Sequence, residues 1–548
     1  MHYTNPIVKG FYPDPSVCEA NGRFYLACSS FQYFPGVPLF ESTDLVNWTQ
    51  IGHALTRPSQ VMLDQVPSSG GVFAPTLRFH NGRFYMVTNN NTTLENFYIY
   101  TDDIYGEWSE PVTVDQGGID PSLFFDDGHV YFISNGQDDH GINSVIQCEI
   151  DILTGKKLTP SRPIWQGSGG RYLESPHMYR INDIYYLMAA EGGTEYGHMV
   201  TYARSEHVWG PFNNYPHNPV LTNRDKAPEI IQGIGHGDLV RAAGGSWFLL
   251  TLGFRQIHPW QPYHHLGREV FLTPVFFDKD GWFHAGTDGT TEQSYEISGD
   301  FTQLHRDLYT FENTSWDLDW IYLRHPHTSN YTLENKQLIL RGSNVTLDDA
   351  DSPTFLGIRQ RDFNMTLSVK IEYRPSDISD SNDTPGIQNH SYVSSSADNA
   401  VKNFFPAVIS PKEEFQPGAP TFPQAEAGLT LYMDELHHYD ICVTNNATGY
   451  EALLRLNIGG IRHVQTTIPL TDGSTHLVIE ADSMEYRFYL MSGTENPQKI
   501  KLGSAYTKYL SSEVASGFTG VVAGLYAIGD CTAVFRKFRC SYPGQPDL

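Results

Sequence analysis

The chain has 548 residues, of which 40% belong to the hydrophobic set, 13% are aromatic and 18% are charged. That is enough apolar material to exclude wholesale disorder, and too much length for one core, so two or three domains are expected. A formal net charge of −26, from 36 basic and 62 acidic residues, repels a phosphate backbone and an anionic bilayer, which excludes nucleic acid and membrane as partners and leaves a neutral substrate such as a sugar compatible.

The N-terminus reads Met1-His2-Tyr3-Thr4-Asn5-Pro6, without an apolar signal region. No run of about 18 apolar residues follows, so a cytoplasmic protein without a membrane span is expected. The six cysteines (Cys18, Cys28, Cys148, Cys442, Cys531 and Cys540) form no CxxC pair. Their spacing fits neither a zinc site nor a disulfide framework, and buried free thiols in a reducing compartment are expected. With 48 Gly, 33 Pro, 32 Tyr and 31 Phe, the composition favours strands and turns.

A unit recurs five times in the first half. Residues 14–25 read DPSVCEANGRFY, 74–85 APTLRFHNGRFY, 120–131 DPSLFFDDGHVY, 174–186 ESPHMYRINDIYY and 236–248 HGDLVRAAGGSWF, the last two being one residue longer. Each joins an apolar strand to an aromatic-rich one across a two-residue turn: Asn21-Gly22, Asn81-Gly82, Asp127-Gly128, Asn182-Asp183 and Gly244-Gly245. Asn-Gly and Asp-Gly accept the positive φ of tight primed turns, so each unit predicts a hairpin. A second motif, STDLVNW at 42–48, TDDIYGEW at 101–108 and RSEHVWGPF at 204–212, is read as the outer part of its unit. Spacings of 60, 46, 54 and 62 residues suit four-stranded blades with variable loops, and predict a five-bladed β-propeller over 1–300. An ordinary β-sandwich with chance hairpins is the alternative.

Asp14, Asp120 and Glu174 open the first, third and fourth units at one phase. Equivalent starts of innermost strands surround a propeller's axis, so the three carboxylates should meet at one end of the channel. Any one of them alone reads as a turn residue. Three together, repelling one another, need a purpose. Paired carboxylates are the equipment of glycosidic bond hydrolysis, with a third acid raising the proton donor's pKa; a bound hard cation is the rival.

The segments NPIVKGFYPDPSV, SSFQYFPGVPLFESTDLVNW, GGIDPSLFFDDG, YLESPHMY, GIGHGDLV and HHLGREVFL resemble the motifs of family 43 glycoside hydrolases, most closely the β-xylosidase branch with its C-terminal β-sandwich. The resemblance spans nearly the whole chain. It implies an inverting mechanism in which Asp14 matches the general base, Glu174 the general acid, and Asp120 the acid that orients Glu174 and raises its pKa. It further implies that Arg268 grips the terminal sugar and that Phe31 walls the pocket. Phe73 and Ala74, opening the second unit, join them as substrate-binding candidates. His236 matches a histidine on the axis that in relatives faces a water or a Ca²⁺, so no cofactor is required and a Ca²⁺ near His236 is the one metal expectation. Inversion needs a water between base and sugar, hence carboxyls ~6.5–9.5 Å apart. Read without the resemblance, Arg268 is a surface ion pair, the two Phe are core aromatics and His236 is a satisfied core histidine. His258, His264 and His265, in a loop near Arg268, are read as pocket rim, since their spacing is not diagnostic of a metal.

From about residue 300 the hairpin phase is lost. Residues 363–373, FNMTLSVKIEY, carry apolar side chains at every odd position; Leu477, Ile479 and Ala481 alternate, as do Tyr486, Phe488 and Leu490. Period-two strands at intervals predict a jelly-roll-like β-sandwich over 301–548. SGFTGVVAGLYA at 516–527 resembles the segment whose Phe, here Phe518, closes one end of the pocket in such β-xylosidases; a sandwich-core role is the alternative. Residues 375–426 are polar, then Pro-rich, and read as an inserted, mobile loop.

These readings lead to an exo-acting β-xylosidase trimming xylose from short xylo-oligosaccharides, with α-L-arabinofuranosidase side activity; the resemblance also implies a homo-oligomer. The alternatives are α-L-arabinofuranosidase as main activity, an endo-acting arabinanase with an open groove, and a non-catalytic carbohydrate-binding propeller.

Overall fold

The polar dipeptides reverse the chain as their backbone freedom allows. Asn21-Gly22 (φ 53° and 79°), Asn81-Gly82 (50° and 82°), Asp127-Gly128 (46° and 87°) and Asn182-Asp183 (51° and 62°) all lie in the left-handed region, the geometry that matches the twist of the flanking strands. In the computed structural model, which describes residues 2–297, 302–304, 308–311, 317–376, 424–492 and 498–542, these hairpins begin four-stranded antiparallel sheets, each with its strands in sequence order. The first blade holds Ser16–Ala20, Arg23–Ala27, Gly36–Ser42 and Thr49–Leu55. The first strands of the other four blades are Thr76–His80, Ser122–Asp126, Glu174–Ile181 and Ile231–Arg241. These five innermost strands contact one another in succession and the last returns to the first, so the blades close into a propeller.

The outer motifs lie where the repeat placed them, joining the third and fourth strands of their blades. The extra residue of unit four is a register shift between Glu174 and His177, and the fifth inner strand shifts register twice, around Gly235; each absorbs inserted backbone as a bulge. One turn differs from expectation. The fifth inner strand ends at Arg241 and its partner starts at Trp247, so Gly244-Gly245 belongs to a five-residue loop with Ala242 N–H bonded to Ser246 O. Such a loop needs only one positive φ, taken by Gly245 (87°). The N-terminus is laced to blade five: His2–Thr4 pairs with Ser294–Glu296, and the Asn5 side chain exchanges hydrogen bonds with the backbone of Leu272.

The second half forms two packed antiparallel sheets, one built around Cys531–Ser541 and Met365–Pro375, the other around Glu426–Asp434 and Val522–Ile528. Met365, Leu367, Val369, Ile371 and Tyr373 all point into the core between them, as do Leu477, Ile479, Ala481, Tyr486, Phe488 and Leu490. The predicted inserted loop falls largely on 377–423, outside the described residues. All six cysteines are free and buried, and among the described residues no helix is long and apolar enough to cross a membrane.

The sandwich is joined to the propeller by a shared apolar cluster, Phe11, Phe31 and Tyr33 against Phe355, Tyr432 and Tyr526. Charged pins flank it. Fully buried Arg324 donates to the carbonyls of Val66 and Asp351 and to Glu435, and Arg255 reaches both Glu269 and Asp362 (2.7 and 2.9 Å). These contacts fix the sandwich against the end of the propeller where the acids lie.

One buried ion group inside the sandwich has a measurable consequence. His438 lies between Asp440 (2.9 Å) and Asp348 (3.2 Å). Burial pushes its pKa down, but the charge of Asp440 and hydrogen bonds to both carboxylates outweigh this and raise it to about 9. The folded state therefore holds the proton more tightly than the unfolded chain. Its stabilisation is complete below the ordinary histidine pKa of 6.5 and is lost as pH rises through about 9. His438→Leu is expected to destabilise the chain by roughly 3 kcal/mol near pH 6, with the deficit shrinking above pH 9, in denaturant melts across that range.

Candidate active site

Asp14 and Asp120 each stand just before a proline and an inner strand, at φ 56° and 52°; in unit four the residue after Glu174, Ser175, takes this conformation (57°), and His236 adopts it within its bulged strand (43°). Left-handed non-glycine residues cost about 1 kcal/mol or more each, and cluster where a side chain must be aimed. Here the turns bring together groups far apart in sequence. Asp14, Phe31, Phe73, Ala74, Asp120, Glu174, His236, Arg268 and Phe518, the catalytic and substrate-binding candidates of the sequence, line one cavity of about 370 Å³.

The electrostatics divide the three acids. Asp14 accepts hydrogen bonds from Arg268 Nη1 (3.1 Å) and Ser29 Oγ (2.5 Å), and His236 Nδ1 is 3.4 Å away. Burial, the largest single influence, pushes its pKa up, but Arg268, His236 and Ser29 together outweigh it and hold Asp14 below the usual carboxylate range. Glu174 goes the other way. Burial first and the negative charge of Asp14 second push it up to about 7, against a smaller pull from Arg268. Asp120 is also held well above its ordinary value, by burial and then by the charges of Glu174 and Asp14. Burial and Asp14 thus add to the repulsion between Asp120 and Glu174 in keeping the pair from ionising fully. The Asp120–Glu174 pair retains a proton because two buried like charges cannot ionise cheaply together.

Arg268 is itself fixed. It donates to Thr194 Oγ1 (2.8 Å) and to the carbonyl of Phe518 (3.2 Å), and its guanidinium lies over the rings of Phe31 and Phe518. Phe518 in turn packs on Phe31 and Phe73, at 5.9 and 6.1 Å between centroids, so it is a wall of the cavity contributed by the sandwich.

The axis beyond His236 is blocked. Asp238 accepts from Ser16 Oγ (2.7 Å), Arg78 Nη1 (2.8 Å) and Tyr179 OH (2.5 Å), and Arg78 Nη2 donates to His177 Nδ1 (2.7 Å). A second cavity, at the opposite end of the blades, is lined by Arg78, Tyr179 and Asp238 and shares no residue with the first. The buried network closes the channel between them. It also bears on a Ca²⁺ beside His236. The ionisable groups whose charge His236 feels are Asp14, Arg268 and Asp238, and it lies against the His177 ring. A hard cation takes about six to eight oxygen ligands; the two carboxylates nearby, Asp14 bonded to Arg268 and Ser29 and Asp238 bonded to Arg78, Ser16 and Tyr179, are already engaged and do not fit it. Among the described residues no group of three or more His, Cys, Asp or Glu is arranged to hold a metal.

The histidine loop divides. His264 lines the cavity, His265 is buried against Phe363 and Tyr486 at the seam between domains, and His258 sits in its own surface turn. The structure adds Thr194, Tyr196, His198 and Glu513 to the cavity wall. Gly192-Gly193, both at positive φ, marked a tight loop before Thr194. Nothing local marked Glu513.

Comparison with known proteins places this architecture. Residues 3–283 match the family described as Glycosyl hydrolases family 43. The chain belongs to that family. Residues 309–386 and 414–541 of this family 43 glycoside hydrolase match the β-xylosidase C-terminal concanavalin A-like domain. It is 36% identical to a non-reducing end α-L-arabinofuranosidase of Bacteroides ovatus, over 96% of this chain and 92% of that protein. It is 31% identical to a xylosidase/arabinosidase of Butyrivibrio fibrisolvens, over 95% of each. Among solved structures, a xylan β-1,4-xylosidase from Bacillus halodurans superposes with a TM-score of 0.83 at 27% identity, over 98% of this chain and 100% of that one.

Proposed function

We propose that this family 43 enzyme is an exo-acting, inverting hydrolase that releases xylose from the non-reducing ends of β-1,4-xylo-oligosaccharides. One observation carries the reading: a carboxyl held ionised, Asp14, and a carboxyl held protonated up to about pH 7, Glu174, line one cavity. Asp14 takes a proton from water as the water attacks the anomeric carbon. Glu174 gives its proton to the glycosidic oxygen as that bond breaks. Solvent then removes the proton from Asp14 and returns one to Glu174. Arg268 keeps Asp14 charged and presents donors to the sugar hydroxyls, and Phe31, Phe73 and Phe518 supply apolar faces. Such a matched acid and base argues against a merely sugar-binding propeller. The blocked axis and the Phe518 wall argue against an endo-acting groove and for removal of one terminal residue.

α-L-Arabinofuranosidase activity is the second reading, favoured by the identity to the Bacteroides ovatus enzyme. Paired nitrophenyl-β-xyloside and nitrophenyl-α-L-arabinofuranoside assays separate the two, and the larger kcat/KM names the main substrate. Proton NMR of the first product tests the mechanism: a β-xyloside should give α-xylose first, and β-xylose appearing first would mean retention. If Phe518 closes the pocket, Phe518→Ala should raise KM for xylobiose roughly tenfold, ~1.4 kcal/mol; an unchanged KM would remove it from the binding wall.

A further inference from the structure

The segment that carries Phe518 also carries a carboxylate for which the catalytic trio has no use. Glu513 lies on the single helical turn Ser512–Ala515 of the sandwich and lines the cavity that holds Asp14 and Glu174. The segment is pinned to the propeller along its length: Ser512 N–H donates to His264 O (3.1 Å), Phe518 N–H to Ser69 Oγ (2.8 Å) and Val521 N–H to His265 O (2.8 Å). Gly520 lies so close that a Cβ there would meet Leu266 O at 2.4 Å. Glu513 is therefore placed by the fold and does not swing freely.

Its surroundings define its state. Oε1 accepts from His264 Nδ1 (2.6 Å) and Tyr196 OH (3.3 Å), and Oε2 from the backbone N–H of His264 (2.9 Å). The His264 ring is stacked on Phe254 at 3.8 Å, and Tyr196 meets the same Phe254 edge-on. Burial pushes the Glu513 pKa up, but its bonds to His264 outweigh this and hold it down, so it is a carboxylate when the enzyme works. A carboxylate has about four acceptor positions, so three bonds leave capacity for another donor. Side-chain exposure orders the wall from floor to mouth: 7% for Asp14, 22% for Glu513 and 61% for Glu195. Glu513 is thus more open to solvent than Asp14, toward the mouth where the residue after the cleaved bond must lie if the terminal sugar fills the floor.

Resting on that exo reading, we propose that Glu513, seated by His264 and Tyr196, is a specificity-determining residue that accepts hydroxyl hydrogen bonds from the leaving-group sugar. The sandwich thus selects the leaving group while the propeller performs the chemistry. A nitrophenyl leaving group has no hydroxyl to offer, so the readout is the ratio of kcat/KM on the disaccharide to kcat/KM on the nitrophenyl glycoside of the same pentose. It is measured with xylobiose or arabinobiose, whichever the wild-type enzyme cleaves. Glu513→Gln should lower this ratio at least tenfold, through KM for the disaccharide. Tyr196→Phe, which leaves both His264 bonds to Glu513 intact, should lower it less. A ratio unchanged in both variants overturns the inference even where both activities fall together, because a role confined to holding Phe518 in place would move both substrates alike. A wild-type enzyme that cleaves neither pentoside overturns the exo reading, and this inference with it.

Discussion

Glu174→Ala should lower kcat on xylobiose by on the order of a thousandfold, while a nitrophenyl glycoside with an acidic leaving group should lose less than about tenfold. The asymmetry follows from what the residue supplies. A sugar alkoxide cannot depart without a proton, whereas nitrophenolate can. In the wild-type enzyme the proton is present because burial and the charge of Asp14 hold Glu174 up at about 7. The active form has Asp14 deprotonated and Glu174 protonated, so activity on the disaccharide should fall as pH rises through about 7. Steady-state kinetics across pH 4–9 on both substrates checks this. The variant's alkaline limb on the nitrophenyl glycoside should vanish, and equal losses on the two substrates would remove Glu174 from the role of acid.

Asp14→Asn should abolish activity on both substrates alike, by on the order of a thousandfold or more. The attack of water is required whatever leaves, so no leaving group rescues a missing base. The acid limb should lie below the ordinary carboxylate value of 3.8, because Arg268, His236 and Ser29 together hold Asp14 down. The substitution also removes the charge that helps to raise Glu174. In a variant shown by its melting curve to stay folded, a titration of Glu174 should therefore show its pKa lowered. Activity retained on the nitrophenyl glycoside would place the base elsewhere.

Much of the catalytic domain is legible in the sequence. Asn21-Gly22, Asn81-Gly82 and Asp127-Gly128 encode their hairpins in two residues, because positive φ is a local backbone property. Five such hairpins at near-even spacing close into a ring. Asp14, Asp120 and Glu174 share a phase within the repeat, so ring closure alone brings them together. Met365 to Tyr373 announce a half-buried strand by alternation. The fifth turn misled because Gly244-Gly245 sits inside a longer loop, and the bulges at Glu174 and Gly235 show only as an extra residue.

What the amino-acid order determined by itself was what local backbone preference and periodicity can carry: the hairpins, the blades, the alternating sandwich strands and the common phase of three acids. Tertiary structure alone decided which of those acids holds a proton, since that depends on burial and on Arg268, which lies 254 positions from Asp14. It alone blocked the axis with Arg78 and Asp238, and it alone carried Phe518 and Glu513 from the sandwich to the propeller's cavity. Charges and aromatic rings act through space over a few ångströms, and which groups come that close is settled only when separately folded sheets dock.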